Sequence, residues 1–314
     1  MEKKKLKVVF MGTPDFAVPS LKALVESGFQ VPLVITQPDK PAGRGKKLKP
    51  PPVKTVAEKL GIEVLQPERI KENAELKEKL RAIKPDLIVV AAYGKILPRW
   101  LLDLPRFGTV NVHASLLPEY RGASPIQAAL LDGKEETGVT IMKVIPELDA
   151  GPIIAQEKVK IEPEDNAQTL HDKLSELGAK LLVETLPRYV KGELKPVEQD
   201  DSKATYCKQI TKEMGKIDWK ESARKIFNAV RAFTPWPSAY TFYKGKRVKI
   251  TSAEPVEGSG RPGEVIKADR ELVVACGKGA LKIKRLRPEG KKEISGEEFI
   301  RGYRVKEGDL FGES

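Results

Sequence analysis

At 314 residues the chain exceeds the size at which a single hydrophobic core is usual, and its 40% hydrophobic and 32% charged residues support packed cores under a heavily solvated surface. A formal charge of +12 favours an anionic partner, nucleic acid being the commonest, beside the plainer reading of a lysine-rich enzyme surface. Two cysteines without metal-ligand spacing exclude a disulfide framework and indicate free, packed thiols in a reducing cytoplasm, and no apolar run has transmembrane length.

Met1–Phe10 has a basic start and a short apolar run, so it reads as a first strand rather than a signal peptide. Leu6–Met11 forms that strand and ends at Gly12-Thr-Pro. Phe16–Ser27 carries Leu21, Leu24 and Val25 at helical spacing, and Val31–Thr36 reads as the next strand. Thr55–Leu60 and Glu72–Ile83 are helical patterns with a short strand starting at Val64 between them; Asp86–Ala91 is the most apolar strand. Unbroken apolar strands alternating with helices predict a Rossmann-like, doubly wound, mostly parallel α/β sheet covered on both faces. No Gly-x-Gly-x-x-Gly follows the first strand, which argues against a nicotinamide dinucleotide.

Gly108–Val112 is the next strand, and Thr137–Val144 and Ile153–Ile161 bracket a loop containing Asp149. Asp165 is the expected cap of a helix running to Tyr189, with Leu170, Leu174, Leu177, Leu181 and Leu186 on its buried stripe. His171, on that helix, reads as a surface or packed histidine. Lys191–Thr205 turns polar, which places domain boundaries at 1–190, a linker at 191–208 and a second domain at 209–314. There Ser222–Phe233 is a short amphipathic helix. The short strands Ala239–Tyr243, Arg247–Glu254, Gly263–Ala268, Glu271–Ala275 and Ala280–Leu286 predict a small OB-like β-barrel. Lys282 and Lys284 fall on one strand face and offer an electrostatic track for a phosphate backbone, or scattered solvated lysines. Trp236, between Pro235 and Pro237, reads as a packing residue.

The densest polar motif is Thr109-Val-Asn-Val-His-Ala-Ser-Leu-Leu-Pro-Glu-Tyr-Arg-Gly122, which holds one of only two histidines. Asn111 and His113 are two apart at a strand end, so their side chains share a face, where doubly wound sheets bind ligands. A carboxylate from the Asp149 loop could orient the imidazole. An amide, an imidazole and a carboxylate together suit acyl transfer, with donors for a developing oxyanion and a group to manage protons. The alternative is that Asn111 and His113 satisfy backbone groups and Asp149-Ala-Gly is an ordinary turn. The segment Asp39–Lys49 carries Lys40, Arg44, Lys46, Lys47 and Lys49 with interspersed glycines. By itself it reads as a mobile basic surface loop.

Asn111-Val-His-Ala-Ser-Leu-Leu-Pro-Glu-Tyr-Arg-Gly with the later Leu148-Asp-Ala-Gly resembles the 10-formyltetrahydrofolate-using formyltransferases. Phe10-Met-Gly-Thr-Pro-Asp-Phe-Ala, Thr36-Gln-Pro-Asp-Lys-Pro-Ala-Gly-Arg-Gly and Arg231-Ala-Phe-Thr-Pro-Trp-Pro extend the resemblance over nearly the whole chain, towards the members that act on methionyl-tRNA. The resemblance implies 10-formyltetrahydrofolate as formyl donor, no metal, initiator methionyl-tRNA as acceptor, and a cytoplasmic monomer. It implies that Asn111 and His113 stabilise the oxyanion on the formyl carbon, and that Asp149 pairs with His113 and accepts the amine proton. Ser115, Leu116, Leu117 and Pro118 would line the folate site, with Tyr93 and Gly94 bordering the pterin pocket. The basic segment, Arg44 above all, would reach the acceptor end of the tRNA. A formyltransferase acting on a small-molecule amine would share the same three residues and is the alternative.

Overall fold

The apolar runs assemble into one seven-stranded sheet. In the computed structural model, which describes residues 6–312, the chain begins β1 (Lys7–Gly12), α1 (Val18–Glu26), β2 (Gln30–Ile35), β3 (Lys40–Ala42), β4 (Lys47–Lys49), α2 (Pro52–Lys59), β5 (Glu63–Leu65), α3 (Ala74–Ile83) and β6 (Leu87–Ala91). It continues α4 (Arg99–Leu102), β7 (Thr109–His113), β8 (Arg121–Gly122), α5 (Pro125–Leu131), β9 (Glu136–Lys143), β10 (Ile153–Lys160), α6 (Ala167–Val190) and β11 (Tyr206–Cys207). The sheet order is β10-β9-β7-β6-β1-β2-β5. β5, β2, β1, β6 and β7 run parallel, β9 runs antiparallel to β7, and β10 is antiparallel to β9 at the edge. Every residue of β6 is buried, as expected for a central strand covered on both faces. Gly12 ends β1 where a side chain would meet the Ala17 Cβ and the Ala91 carbonyl at 2.7 Å, so only glycine lets the chain turn this close to β6.

The chain divides into two compact units. One holds the residues up to Gly122 with Glu136–Lys160 and His171–Cys207; the other holds Ala123–Glu135, Ile161–Leu170 and the chain from Lys208 onward. The polar stretch that reads as a linker is therefore ordered against the first unit. Val197 bridges Ile153, and β11 pairs in parallel with β8. The expected Asp165 cap is displaced by one residue: Asn166 Oδ1 accepts the Thr169 N–H at 2.9 Å, while Thr169 Oγ1 accepts the Asn166 N–H at 2.9 Å. Asp165 instead accepts from the Glu162 N–H and the Thr169 hydroxyl, both at 2.8 Å. His171 is packed, edge-on to Phe16 with ring centroids 5.7 Å apart.

In the second unit α7 (Ala223–Ala232), capped by Ser222, precedes β12 (Ala239–Tyr243), β13 (Lys246–Val256), β14 (Val265–Ala268), β15 (Leu272–Ala275), β16 (Ala280–Pro288), β17 (Ile294–Ser295) and α8 (Gly296–Tyr303). The antiparallel order is β12-β13-β16-β15-β14, with β17 on β16. Phe311 bridges Tyr243 and Leu310 bridges Glu264, so the end of the chain joins the two outer strands and closes the small barrel that the turn spacing predicts. Phe299 is fully buried and stacks on Tyr303 at 4.4 Å, with Tyr243 at 5.4 Å and Phe311 at 6.2 Å. Trp236 does not pack as expected; it is 52% exposed, in a turn where the peptides preceding Pro235 and Pro237 are both cis.

Two outcomes follow from this packing. Phe299→Ala removes the centre of a buried aromatic cluster and should cost about 3–5 kcal/mol, read from the urea midpoint. Burial pushes the Cys276 thiol up to about 12. Cys276 should therefore stay unreactive towards a thiol reagent at pH 8 in the folded protein and react once denatured. Because the folded value is the raised one, its contribution to stability is present below the unfolded thiol value and is lost as pH rises from there towards 12.

Candidate active site

β7 delivers Asn111 and His113 to the carboxyl end of the sheet, with Val90 of β6 opposite Asn111 and Thr140 of β9 opposite His113. The His113 ring is 7% exposed. Its Nε2 lies 2.9 Å from the Tyr120 carbonyl, which can only accept, so Nε2 carries a proton. Nδ1 faces Asp149 Oδ2 at 3.9 Å. Nδ1 is therefore the ring nitrogen left to exchange a proton or to donate to a bound group. Asn111 Oδ1 is buried and has no hydrogen-bond partner. An unpaired buried carbonyl costs roughly 1–3 kcal/mol, a cost that disappears when an incoming N–H or O–H supplies the partner.

Asp149 sits at φ +48°, a left-handed conformation for a residue with a side chain. Its Oδ2 accepts the Gly122 N–H at 2.8 Å. Gly122 is at φ +117°, and a Cβ there would strike the Cys207 carbonyl, so only glycine brings this N–H to the carboxylate. Asp149, from a loop distant in sequence, is thus brought against His113, which shares a strand face with Asn111.

The loop after β7 is anchored by internal polar contacts. Ser115 is fully buried, with its hydroxyl donating to the Glu119 carbonyl at 2.6 Å and its carbonyl accepting from Thr140 Oγ1 at 2.7 Å. Leu117 is 3% exposed; its N–H donates to Thr140 Oγ1 and its carbonyl accepts from Gln156. Leu116 and Pro118 are half-buried, and the Leu117–Pro118 peptide is cis. Ser115 and Leu117 thus shape the loop, leaving Leu116 and Pro118 as the partly open surface. The Tyr93 ring is 2% exposed in the core of the first unit, its hydroxyl pushed up to about 12 by burial. Only its carbonyl makes polar contacts, accepting from Gln37 Nε2 at 2.6 Å and Thr13 Oγ1 at 3.2 Å. Gly94 is exposed at φ +89°, with no room for a Cβ beside the Gln37 amide.

The basic segment is built rather than loose. β3 and β4 form a hairpin pairing Lys40 with Lys49 and Ala42 with Lys47, so Lys40, Lys47 and Lys49 share one face. Arg44 and Lys46 lie in its turn, and all five cations are exposed. Asp39, at the hairpin's base, accepts from Gln66 at 2.7 Å and Lys54 at 3.1 Å, contacts that hold its carboxyl below the usual range.

Lys282 and Lys284, read as a track for a phosphate backbone or as solvated lysines, are both engaged by glutamates. Lys282 pairs with Glu271 at 2.9 Å and Glu254 at 3.5 Å, and Lys284 pairs with Glu254 at 3.1 Å. The hydrogen bonds from Lys282 and Lys267 hold Glu271 down to about 2. Both glutamates lie far from these lysines in sequence, so strand periodicity could not reveal the pairing. Further cations meet aromatic residues across β12, β13 and β16: Tyr240 pairs with Lys249, Phe242 with Arg247, and Lys249 with Arg287. The Arg247 guanidinium lies 3.9 Å from the Tyr240 ring centroid.

Two family models match the chain, Formyl transferase over residues 4–186 and Formyl transferase, C-terminal domain over residues 209–304. The methionyl-tRNA formyltransferase of a Sulfurihydrogenibium species is 52% identical over 310 residues, covering 98% of this chain and 100% of its own. That of Bacillus velezensis is 51% identical over 312 residues, covering 98% of each. This chain belongs to the formyl transferase family. A crystal structure of an N-formyltransferase from Helicobacter canadensis, bound to folinic acid and dTDP-3-aminofucose, shares its fold: TM-score 0.66 and 19% identity over 92% of this chain and 100% of that one.

Within this formyl transferase fold, the contacts hardest to foresee are those of Gln199 and Arg121. Gln199 Nε2 donates to the Asp149 and Gly151 carbonyls, both at 2.8 Å, and Gln199 Oε1 accepts from Arg121. Gln199 lies in the polar stretch before the second domain and carries no periodicity that would mark it. The Arg-Gly step at 121–122 is visible in the motif, but not what it touches. Gly122→Ala should break the N–H contact to Asp149 and lower the thermal midpoint. An unchanged midpoint together with unchanged formyl transfer would show that the close approach to Cys207 is not needed.

Proposed function

We propose that this chain transfers the formyl group of 10-formyltetrahydrofolate to the amino group of methionine on initiator methionyl-tRNA, supplying the first aminoacyl-tRNA of cytoplasmic translation. Identity above 50% over nearly the whole chain to proteins named for that activity supports the acceptor. The observation that carries the chemistry is the meeting of His113 Nδ1 with Asp149 Oδ2 at 3.9 Å beside the unpartnered buried Asn111 Oδ1.

The methionine amine attacks the formyl carbon of the folate, the bond from that carbon to N10 breaks as the new carbon–nitrogen bond forms, and tetrahydrofolate leaves with the amine's proton passed to N10. Asn111 and the His113 Nδ1–H donate to the formyl oxygen as it gains negative charge, and such fixed donors act most strongly where charge develops. Asp149 faces the same nitrogen, orients the ring and takes the proton that the amine sheds. The Asn111 carbonyl accepts an N–H of the attacking amine, which gives this orphaned oxygen its partner. The Tyr120 carbonyl fixes Nε2, so the ring cannot turn away as charge builds. Leu116 and Pro118 form the loop surface over which the folate lies.

The hairpin supports a tRNA acceptor. Lys40 faces Lys49 directly across it, an arrangement that repels in isolation and is relieved by an anion such as a phosphate backbone. Arg44 in the turn can fork to phosphate and stack on a base. The Tyr240, Phe242, Arg247, Lys249 and Arg287 face of the barrel adds cations interleaved with aromatic rings, a surface suited to RNA. A small-molecule amine would require neither surface.

Transfer of labelled formyl from 10-formyltetrahydrofolate to methionyl initiator tRNA tests the reading. Asn111→Ala should lower kcat by ~10²–10³-fold with folded protein retained. Folate consumption without tRNA formylation by the wild type would move the acceptor to a small amine or to water. Arg44→Ala should raise KM for the tRNA, leave KM for the folate unchanged and reduce the salt slope of tRNA binding by about one. Equal effects on the two substrates would overturn the assignment of the hairpin.

A further inference from the structure

Asp149 has to hold a left-handed backbone at φ +48° while presenting its carboxylate to His113. For a non-glycine residue this conformation costs of order 1 kcal/mol or more and persists only where its surroundings over-determine it. Its carboxylate is tied by the Gly122 N–H, but its backbone is tied by a different element. One amide nitrogen, Gln199 Nε2, donates to the carbonyls of Asp149 and Gly151, each at 2.8 Å. These two acceptors span the turn, and a primary amide has the two hydrogens needed to reach both.

The orientation of that amide is fixed from behind. Gln199 Oε1 accepts from Arg121 Nε at 3.1 Å and from a terminal guanidinium nitrogen at 2.9 Å. Arg121 has no acceptor to offer, so the amide cannot flip without setting donor against donor. Arg121 is itself 3% exposed and is held by Asp201 at 2.7 Å and the Tyr206 hydroxyl at 3.2 Å. A buried guanidinium this fully engaged is a rigid support. The neighbouring backbone contributes as well: Tyr120 gives its carbonyl to His113 and its N–H to Thr205 Oγ1, and Gly122 gives its N–H to Asp149.

We infer that Gln199, oriented by Arg121, is a positioning residue for the reaction: its two N–H groups lock the Asp149 turn, so that the carboxylate is set against His113 Nδ1. This rests on the formyl-transfer reading above. The segment from Gln199 to Cys207 is then a strap over the site as well as a connection to the second unit's sequence.

Gln199→Glu is the discriminating variant. It keeps the side-chain length and strengthens the pairing with Arg121, but it presents an oxygen to the two carbonyls where the donors stood. The expected result is a kcat lowered by ~10²-fold, as for a misplacement of about 1 Å, with KM for both substrates little changed. In an Asp149→Ala background Gln199→Glu should have no further effect on kcat, because the group it positions is gone. With only two histidines in the chain, the His113 ring resonance is assigned by His113→Ala, and Gln199→Glu should move it. An equal loss of kcat in both backgrounds, or an unmoved His113 resonance, would overturn the inference. Should Gln199→Glu fail to fold, Gln199→Met, which removes both donors without adding charge, carries the same comparison. If the wild type formylates no tRNA, the reaction assignment falls, while the His113 resonance still decides the positioning.

Discussion

The hydrogen bond from the Gly122 N–H to Asp149 Oδ2 is the contact on which the candidate site depends, because it ties the carboxylate directly to the backbone of the segment that follows β7. It can form only if Gly122 adopts φ +117° beside the Cys207 carbonyl and Asp149 adopts φ +48°. The first is open to glycine alone and the second is an unfavourable local choice for a residue with a side chain, and each is supported by a neighbour. The pairing of β8 with β11 holds Gly122, and the Gln199 amide holds the Asp149 turn. The stability of the domain is spent here so that a carboxylate and an imidazole meet at a fixed distance, the usual trade at a preorganised site.

The other half of the site is set by strand register. β7 lies between a parallel neighbour, β6, and an antiparallel one, β9, and is paired as far as Asn111 on the β6 side and as far as His113 on the β9 side. A slip of one residue would turn Asn111 and His113 to the opposite face. The apolar residues Val110 and Val112, which alternate with them and are buried, resist that slip. The Thr140 hydroxyl, opposite His113, secures the following loop by contacting both Ser115 and Leu117. Packing of the sheet and placement of the polar pair are therefore one constraint, and a change in β9 can disturb the site without touching it.

This explains what the sequence reveals and what it hides. The strands of the first sheet are legible because strands buried on both faces read as unbroken apolar runs, and β6 is the plainest case. Asn111 and His113 are legible as a pair because a period of two is a local property. The β3–β4 hairpin is not, since glycines and lysines between prolines read as mobile loop and the Lys40–Lys49 pairing appears only in three dimensions. Lys282 and Lys284 share a face as their spacing requires, but Glu254 and Glu271 occupy them from neighbouring strands. Asn166 replaced Asp165 as the cap because adjacent short polar side chains compete for the same N–H groups and only the backbone path decides between them. Gln199 was invisible for the same kind of reason: its role lies in where its amide reaches, 50 residues back along the chain.

The distribution of charge completes the picture. A net charge of +12 says little by itself, since several lysines are spent in local ion pairs such as Lys267–Glu271 and Lys225–Glu221. Such exposed pairs add little stability and cancel their own fields. What distinguishes the hairpin is the opposite arrangement. Lys40, Lys47 and Lys49 crowd one face of a ribbon only three residues long on each side, and Arg44 and Lys46 fill its turn. Cross-strand like charges destabilise such a ribbon. Its fold is instead secured at the base, where Asp39 is held by Gln66 and Lys54. A structure that anchors an acidic residue at the root of a basic ribbon leaves the cations above it exposed and without acidic partners on the ribbon itself, and it is on this arrangement that the proposed contact with tRNA rests.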